Sequence, residues 1–90
     1  MSITAQALQE LDELLGLVDH CLPGGEAEYA HEHVWEARTY LLGAMPGEFR
    51  YSLELTEETL ARMEDSEDRR HAQEIVASLL RDAEHPSARG

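Results

Sequence analysis

The chain contains no lysine. Seven arginines face 19 aspartates and glutamates, which leaves a formal net charge of −12 over 90 residues. Contacts to phosphate need cations, so an acidic excess of this size opposes direct binding to nucleic acid or to an anionic membrane. Cysteine is nearly as scarce: Cys21 stands alone, which excludes an internal disulfide and suits a reducing compartment. No stretch approaches the run of about 18 apolar residues that marks a membrane span. The opening stretch, Met1 to Leu15, has neither a basic leader nor a continuous apolar run, so it does not read as a signal peptide and the expected setting is the cytoplasm. Also missing are a glycine-rich phosphate loop, a Ser-His-Asp order with supporting turns, and a cysteine in a strongly activating setting. No enzyme is expected, and no cofactor.

The chain is organised around Glu26–Met45, which holds the only tryptophan and two of the three tyrosines. Breaks flank it, Pro23-Gly24-Gly25 before and Pro46-Gly47 after. At about 100° per residue, Ala27, Ala30, Val34, Ala37, Leu41, Ala44 and Met45 form one apolar stripe. Trp35 and Leu42 widen that stripe on one flank; Tyr29, His33 and Tyr40 stack along the other. Opposite stand Glu28, Glu32 and Glu36, one helical turn apart with no arginine between them. Like charges at this spacing repel by roughly 0.2–0.5 kcal/mol per pair. The column is either a solvated face or a docking face for something basic.

The first helix is expected from Thr4 to Leu22, capped by Ser2 or Thr4, with Leu8, Leu11, Leu15, Val18 and Leu22 inward. Leu14, Leu17 and Cys21 broaden that face and make Cys21 a buried thiol. Gly16 interrupts it at a cost of about 1 kcal/mol against alanine, either to allow close approach of a neighbouring helix or as a tolerated accident. Pro23-Gly24-Gly25 then turns the chain back into an αα-hairpin. In Phe49–Leu55, Phe49, Tyr51, Leu53 and Leu55 alternate with polar residues, a period-two pattern read as an extended connector or a short irregular helical turn in preference to a strand pairing with a second copy. Thr56 is expected to cap a short third helix bearing Leu60 and Met63. Those two residues and the set Ala72, Ile75, Val76, Leu79, Leu80 and Ala83 would point to opposite sides of one straight helix. A break is therefore expected near Asp65–Ser66, followed by a longer fourth helix ending near Glu84. The predicted fold is all-α: one domain over residues 1–84, built as a compact four-helix arrangement in which the fourth helix covers the open side of the hairpin. Residues 85–90 are read as a frayed tail.

Glu28-x-x-His31 matches the Glu-x-x-His unit of di-iron bundles, and His33-x-x-Glu36 repeats it in reverse. Both lie off the apolar stripe, and His31 and His33 diverge by about 160° around the helix, so no metal site is expected there. His71 is placed near Glu67 and Glu74 as a surface pairing. In size, acidity and expected helix count the chain resembles the colicin DNase immunity proteins, which block basic nucleases. It lacks their Tyr-Tyr-Pro signature, so the resemblance is one of physical type and identifies no family. The function expected is a small acidic interaction module, an inhibitor or antagonist of the immunity, antitoxin or phage counter-defence kind. It would occlude a basic protein, for instance one that binds nucleic acid. The partner-binding candidates are Glu28, Glu32, Glu36, Tyr29, Tyr40, Asp65, Glu67 and Asp68. Two alternatives remain: a homo-oligomeric helical adaptor or structural protein, and a metal- or small-ligand-binding bundle using the His31–Glu36 region.

Overall fold

The structure, a computed structural model, describes residues 3–22 and 24–84. Its four helices are α1 (Ile3–His20), α2 (Glu26–Leu42), α3 (Pro46–Ala61) and α4 (Glu67–Glu84), and the described residues include no strand. The all-α, four-helix arrangement read from the sequence is the one observed. The tail expected at residues 85–90 and the candidate cap Ser2 lie outside the described residues.

In α1 the fully buried line runs Ala7, Leu11, Leu14 and Val18, and continues to Leu22 past the helix end. Steps of four and three residues keep those side chains on one face. Leu15 and Leu17 pack at its margins. Three expectations change here. Cys21 is exposed, because the buried line passes from Val18 to Leu22 and leaves the thiol about 100° further round. Around Gly16 no atom lies within 4 Å of where a β-carbon would sit, so the glycine serves no close helix approach. Thr4 lies inside α1 and not before it.

After Gly24, which turns the chain at φ +94°, α2 starts with no side-chain cap on Gly25. Its buried residues are few and small: Ala30, Val34 and Ala37. The helix ends at Leu42, earlier than the sequence pattern implied. The Met45 amide donates to the Tyr40 carbonyl at 2.9 Å and the Ala44 amide to that of Leu41 at 3.2 Å. This is a Schellman closure with Ala44, at φ 56°, in the left-handed position that glycine usually takes. Ala44 and Met45 are consequently exposed and do not extend the stripe.

Residues 46–61 form a third helix nearly as long as its neighbours, so neither the extended connector nor the short third helix is observed. Pro46 occupies the first helical position, where its fixed φ suits the helix and its missing N–H costs nothing. The inward face is Phe49, Ser52, Leu53, Thr56, Thr59 and Leu60, a helical spacing with hydroxyl side chains at half its positions. Thr56 is not a cap. It is buried mid-helix, with Oγ1 donating to the Ser52 carbonyl at 2.8 Å, and Thr59 Oγ1 donates likewise to Leu55 at 2.9 Å. Each buried hydroxyl thereby avoids the penalty of an unmade hydrogen bond.

The expected break between Met63 and Glu67 is present. Ser66 caps α4, its Oγ accepting the Arg69 N–H at 3.0 Å. Arg69 pins the turn from above, with Nη1 donating to the Met63 carbonyl at 2.7 Å. Ala72, Ile75, Val76 and Leu79 of α4 complete the core.

Each helix packs mainly on two neighbours, in the ring α1–α2–α3–α4–α1. Helix α4 therefore lies between α1 and α3, and the hairpin's open side is covered by both later helices, α3 packing on α2 and α4 on α1. The contact between α2 and α3 is the most extensive, in keeping with alanines on one side and short hydroxyl side chains on the other. The bundle measures 39 × 21 × 19 Å.

Candidate protein-interaction face

Because α2 fully buries only a narrow arc, about half of its residues are exposed. On the side of its outer surface nearer α1, three residues recur seven apart: Glu28, Trp35 and Leu42. Trp35 is 52% exposed and Leu42 57%. Glu32 and Glu36 stand exposed on the flank towards α3. On the other flank, α2 is tied to α1 by two interhelical pairs. His31 Nδ1 lies 2.6 Å from Asp19 Oδ1, and Arg38 Nε donates to Asp12 Oδ1 at 3.3 Å. The Arg38 guanidinium also lies 5.4 Å from the centre of the Trp35 ring, a cation–π distance. Arg38 thus contacts both Asp12 of α1 and the Trp35 ring. At its N-terminal end α2 is joined to α3, Arg62 Nε donating to Glu26 Oε1 at 3.0 Å. The cations near α2 are thus used at its edges. Glu28 and Glu32 form no ion pair among the described residues, and Glu36 reaches only His33, at 3.3 Å.

The residues singled out from the sequence fall into two groups. Glu28, Glu32, Glu36 and Tyr29 are all exposed on α2, whereas Tyr40 is half-buried and packs against the core. Asp65, Glu67 and Asp68 lie at the turn into α4. Asp65 is engaged there: both its oxygens accept from Arg70 Nη1 at 2.9 Å, and Oδ1 accepts from Arg69 Nη2 at 3.4 Å. Glu67 and Asp68 occupy the first turn of α4, where the helix dipole favours carboxylates. This turn sits beside the start of α2. An open cleft of about 380 Å3 is lined from one side by Leu22, Gly24 and Glu26 and from the other by Arg62, Met63 and Ser66. The exposed Trp35 and Leu42 were not legible as site residues, since the sequence pattern assigned them to the flank of the core. The available signal was the small size of Ala27, Ala30 and Ala37, which lets α2 sit close to its neighbours and leaves larger side chains outside.

His71 pairs with α1 and not with its own helix, its Nε2 lying 3.2 Å from Glu13 Oε2. Nearby, Glu10 faces α4. Partial burial, together with the charge of Asp82, pushes its carboxyl above the usual range, a hydrogen bond with Ser78 pulls it back somewhat, and Glu13 adds to the rise. Among the described residues no three His, Cys, Asp or Glu side chains converge as metal ligands would. None of the described helices is long and apolar enough to cross a membrane. Comparison with protein-family models, with curated proteins and with solved structures finds no match for this chain.

Proposed function

We propose that the protein is a small acidic interaction module that binds and occludes a basic protein partner, acting as an inhibitor or antagonist. A partner whose own cations bind nucleic acid fits this reading best, because the module would offer carboxylates where that partner expects phosphates. The observation that carries the proposal is the outer face of α2, where Trp35 and Leu42 stand in the open beside the unneutralised Glu28 and Glu32. A large exposed aromatic is the kind of side chain that dominates binding energy once desolvated. The surrounding carboxylates would speed association and exclude acidic competitors. The reading places the protein in the cytoplasm, where its lone thiol would stay reduced.

The homodimer reading loses its original basis, since Phe49–Leu55 is helical and Phe49 belongs to the core. It now depends on the exposed apolar residues alone. A net charge of −12 on each copy works against it.

Affinity capture from the source cell's lysate tests the proposal, run at about 50 mM and about 500 mM salt to span weak and strong screening. Retention of a basic protein at the lower concentration and its loss at the higher supports electrostatic antagonism. Retention of nothing at either concentration contradicts it.

A further inference from the structure

We infer that the outer ridge of α2 is the seat of a basic amphipathic α-helix supplied by the partner and laid lengthwise along α2. The inference rests on the acidic-module reading above and adds the partner's secondary structure and the arrangement of its side chains.

The backbone of α2 is closed on itself, with its carbonyl end satisfied by the Schellman turn. It offers no edge to which an extended segment could add as a strand. A helix, which satisfies its own backbone internally, is therefore the regular element best suited to lie along it. The ridge has helical periodicity too. Trp35 and Leu42 are seven residues and therefore about 10.5 Å apart, and Glu28, Glu32 and Glu36 follow at intervals of about 6 Å. A helix with apolar residues at heptad spacing would meet Trp35 and Leu42 at successive contacts, as in side-by-side helix packing.

The two flanks of the ridge differ, and this sets where the partner's cations lie. Towards α1 the ridge is bordered by Arg38, a fixed cation held by Asp12, and by His31, held by Asp19. Towards α3 it is bordered by Glu32 and Glu36. The partner helix should therefore carry arginine or lysine on one flank only, the flank facing α3. A second copy of this chain matches poorly, because its α2 would bring another Glu28/Glu32/Glu36 column to the same ridge.

Trp35 is the only tryptophan, so its emission reports this face without a label. The probe is a synthetic leucine–lysine peptide about three heptads long, compared with a scrambled peptide of identical composition that cannot form an apolar stripe. At about 50 mM salt the amphipathic peptide should shift Trp35 emission to the blue, saturably, with an affinity at least about tenfold tighter than the scrambled one. Leu42→Ala, an exposed change that leaves the core intact, should weaken binding by about fivefold or more, while Tyr51→Ala on α3 should leave it unchanged. Equal affinity for the two peptides overturns the helix inference and leaves the acidic-module reading standing. Silence of Trp35 towards both peptides overturns it as well. A blue shift that grows with protein concentration alone, with a dimer in sedimentation, assigns the ridge to a second copy and also overturns it.

Discussion

Replacing Gly16 and Gly24 by alanine should move stability in opposite directions, although both positions have open space around a new β-carbon. Gly16 lies within α1 in ordinary helical backbone. Alanine there reduces the freedom of the unfolded chain and improves helix propensity, for a gain of about 0.8–1 kcal/mol. Gly24 holds φ at +94°, where a side chain costs about 1–2 kcal/mol. The reduced freedom of the unfolded chain offsets part of that cost, so Gly24→Ala should lose about 1 kcal/mol. For a chain of this length the unfolding entropy is about 0.19 kcal/mol/K, so 1 kcal/mol corresponds to about 5 °C. Thermal unfolding followed by circular dichroism should show Gly16→Ala melting about 4–5 °C above the parent and Gly24→Ala about 5 °C below it. A lower Tm for Gly16→Ala would refute the reasoning, since it would require a neighbouring helix to approach α1 at that point.

Ser66→Ala removes the oxygen that receives the Arg69 amide and should cost about 1 kcal/mol in urea unfolding; no loss would mean that Asp65 caps α4 instead. Thr56→Val should change stability by less than about 1 kcal/mol, because the Ser52 carbonyl keeps its backbone partner and no polar group is stranded. Thr56→Ala should cost more through the cavity it leaves, and equal losses for the two would make the hydroxyl the important atom. Glu10 holds its proton more tightly when folded than when unfolded. The stability it contributes is thus full below its ordinary value of 4.5 and is lost as pH rises through the raised folded-state value. Glu10→Gln should accordingly stabilise the protein at pH near 7 and lose that advantage towards about pH 4. A difference between the two proteins that does not vary with pH would contradict the assignment.

Helices α1, α2 and α4 could be read from the sequence because their inward positions are apolar and recur at helical spacing. Leu11 and Val18 in α1 and Ala72, Ile75, Val76 and Leu79 in α4 are cases in point. The separation of α3 from α4 followed from the opposed directions of Leu60 and Ile75, and Ser66 caps the new helix at the expected break. The first half of α3 was hidden because Ser52, Thr56 and Thr59 occupy its buried face. Hydropathy marks these residues as outward, and what remained of the apolar pattern, Phe49, Tyr51, Leu53 and Leu55, imitated a strand. Their burial is tolerable only because each threonine hydroxyl bonds to a carbonyl one turn back, which hydropathy does not register.

At the candidate site the acidic column of Glu28, Glu32 and Glu36 was legible from spacing alone. The exposure of Trp35 and Leu42 was not, because a wheel shows which residues share a side and not how wide an arc the neighbours cover. In α2 that arc is set by Ala30, Val34 and Ala37. Cys21 illustrates the same limit on α1, one residue short of the buried Leu22. The ion pairs joining helices, such as Asp19 with His31 and Glu13 with His71, depend on packing between segments distant in sequence.

The claim that α2 presents the docking face for a basic partner is tested most directly by two triple variants that each remove three negative charges. One is Glu28→Gln/Glu32→Gln/Glu36→Gln on α2; the other is Glu57→Gln/Glu58→Gln/Glu64→Gln, exposed positions at the far end of α3 and just beyond it. Affinity for the captured basic partner should be measured for both at about 50 mM salt. The account predicts a loss of about tenfold or more for the α2 variant and less than about twofold for the other. Equal losses would reduce the effect to net charge, and a loss confined to the second variant would place the partner on another face.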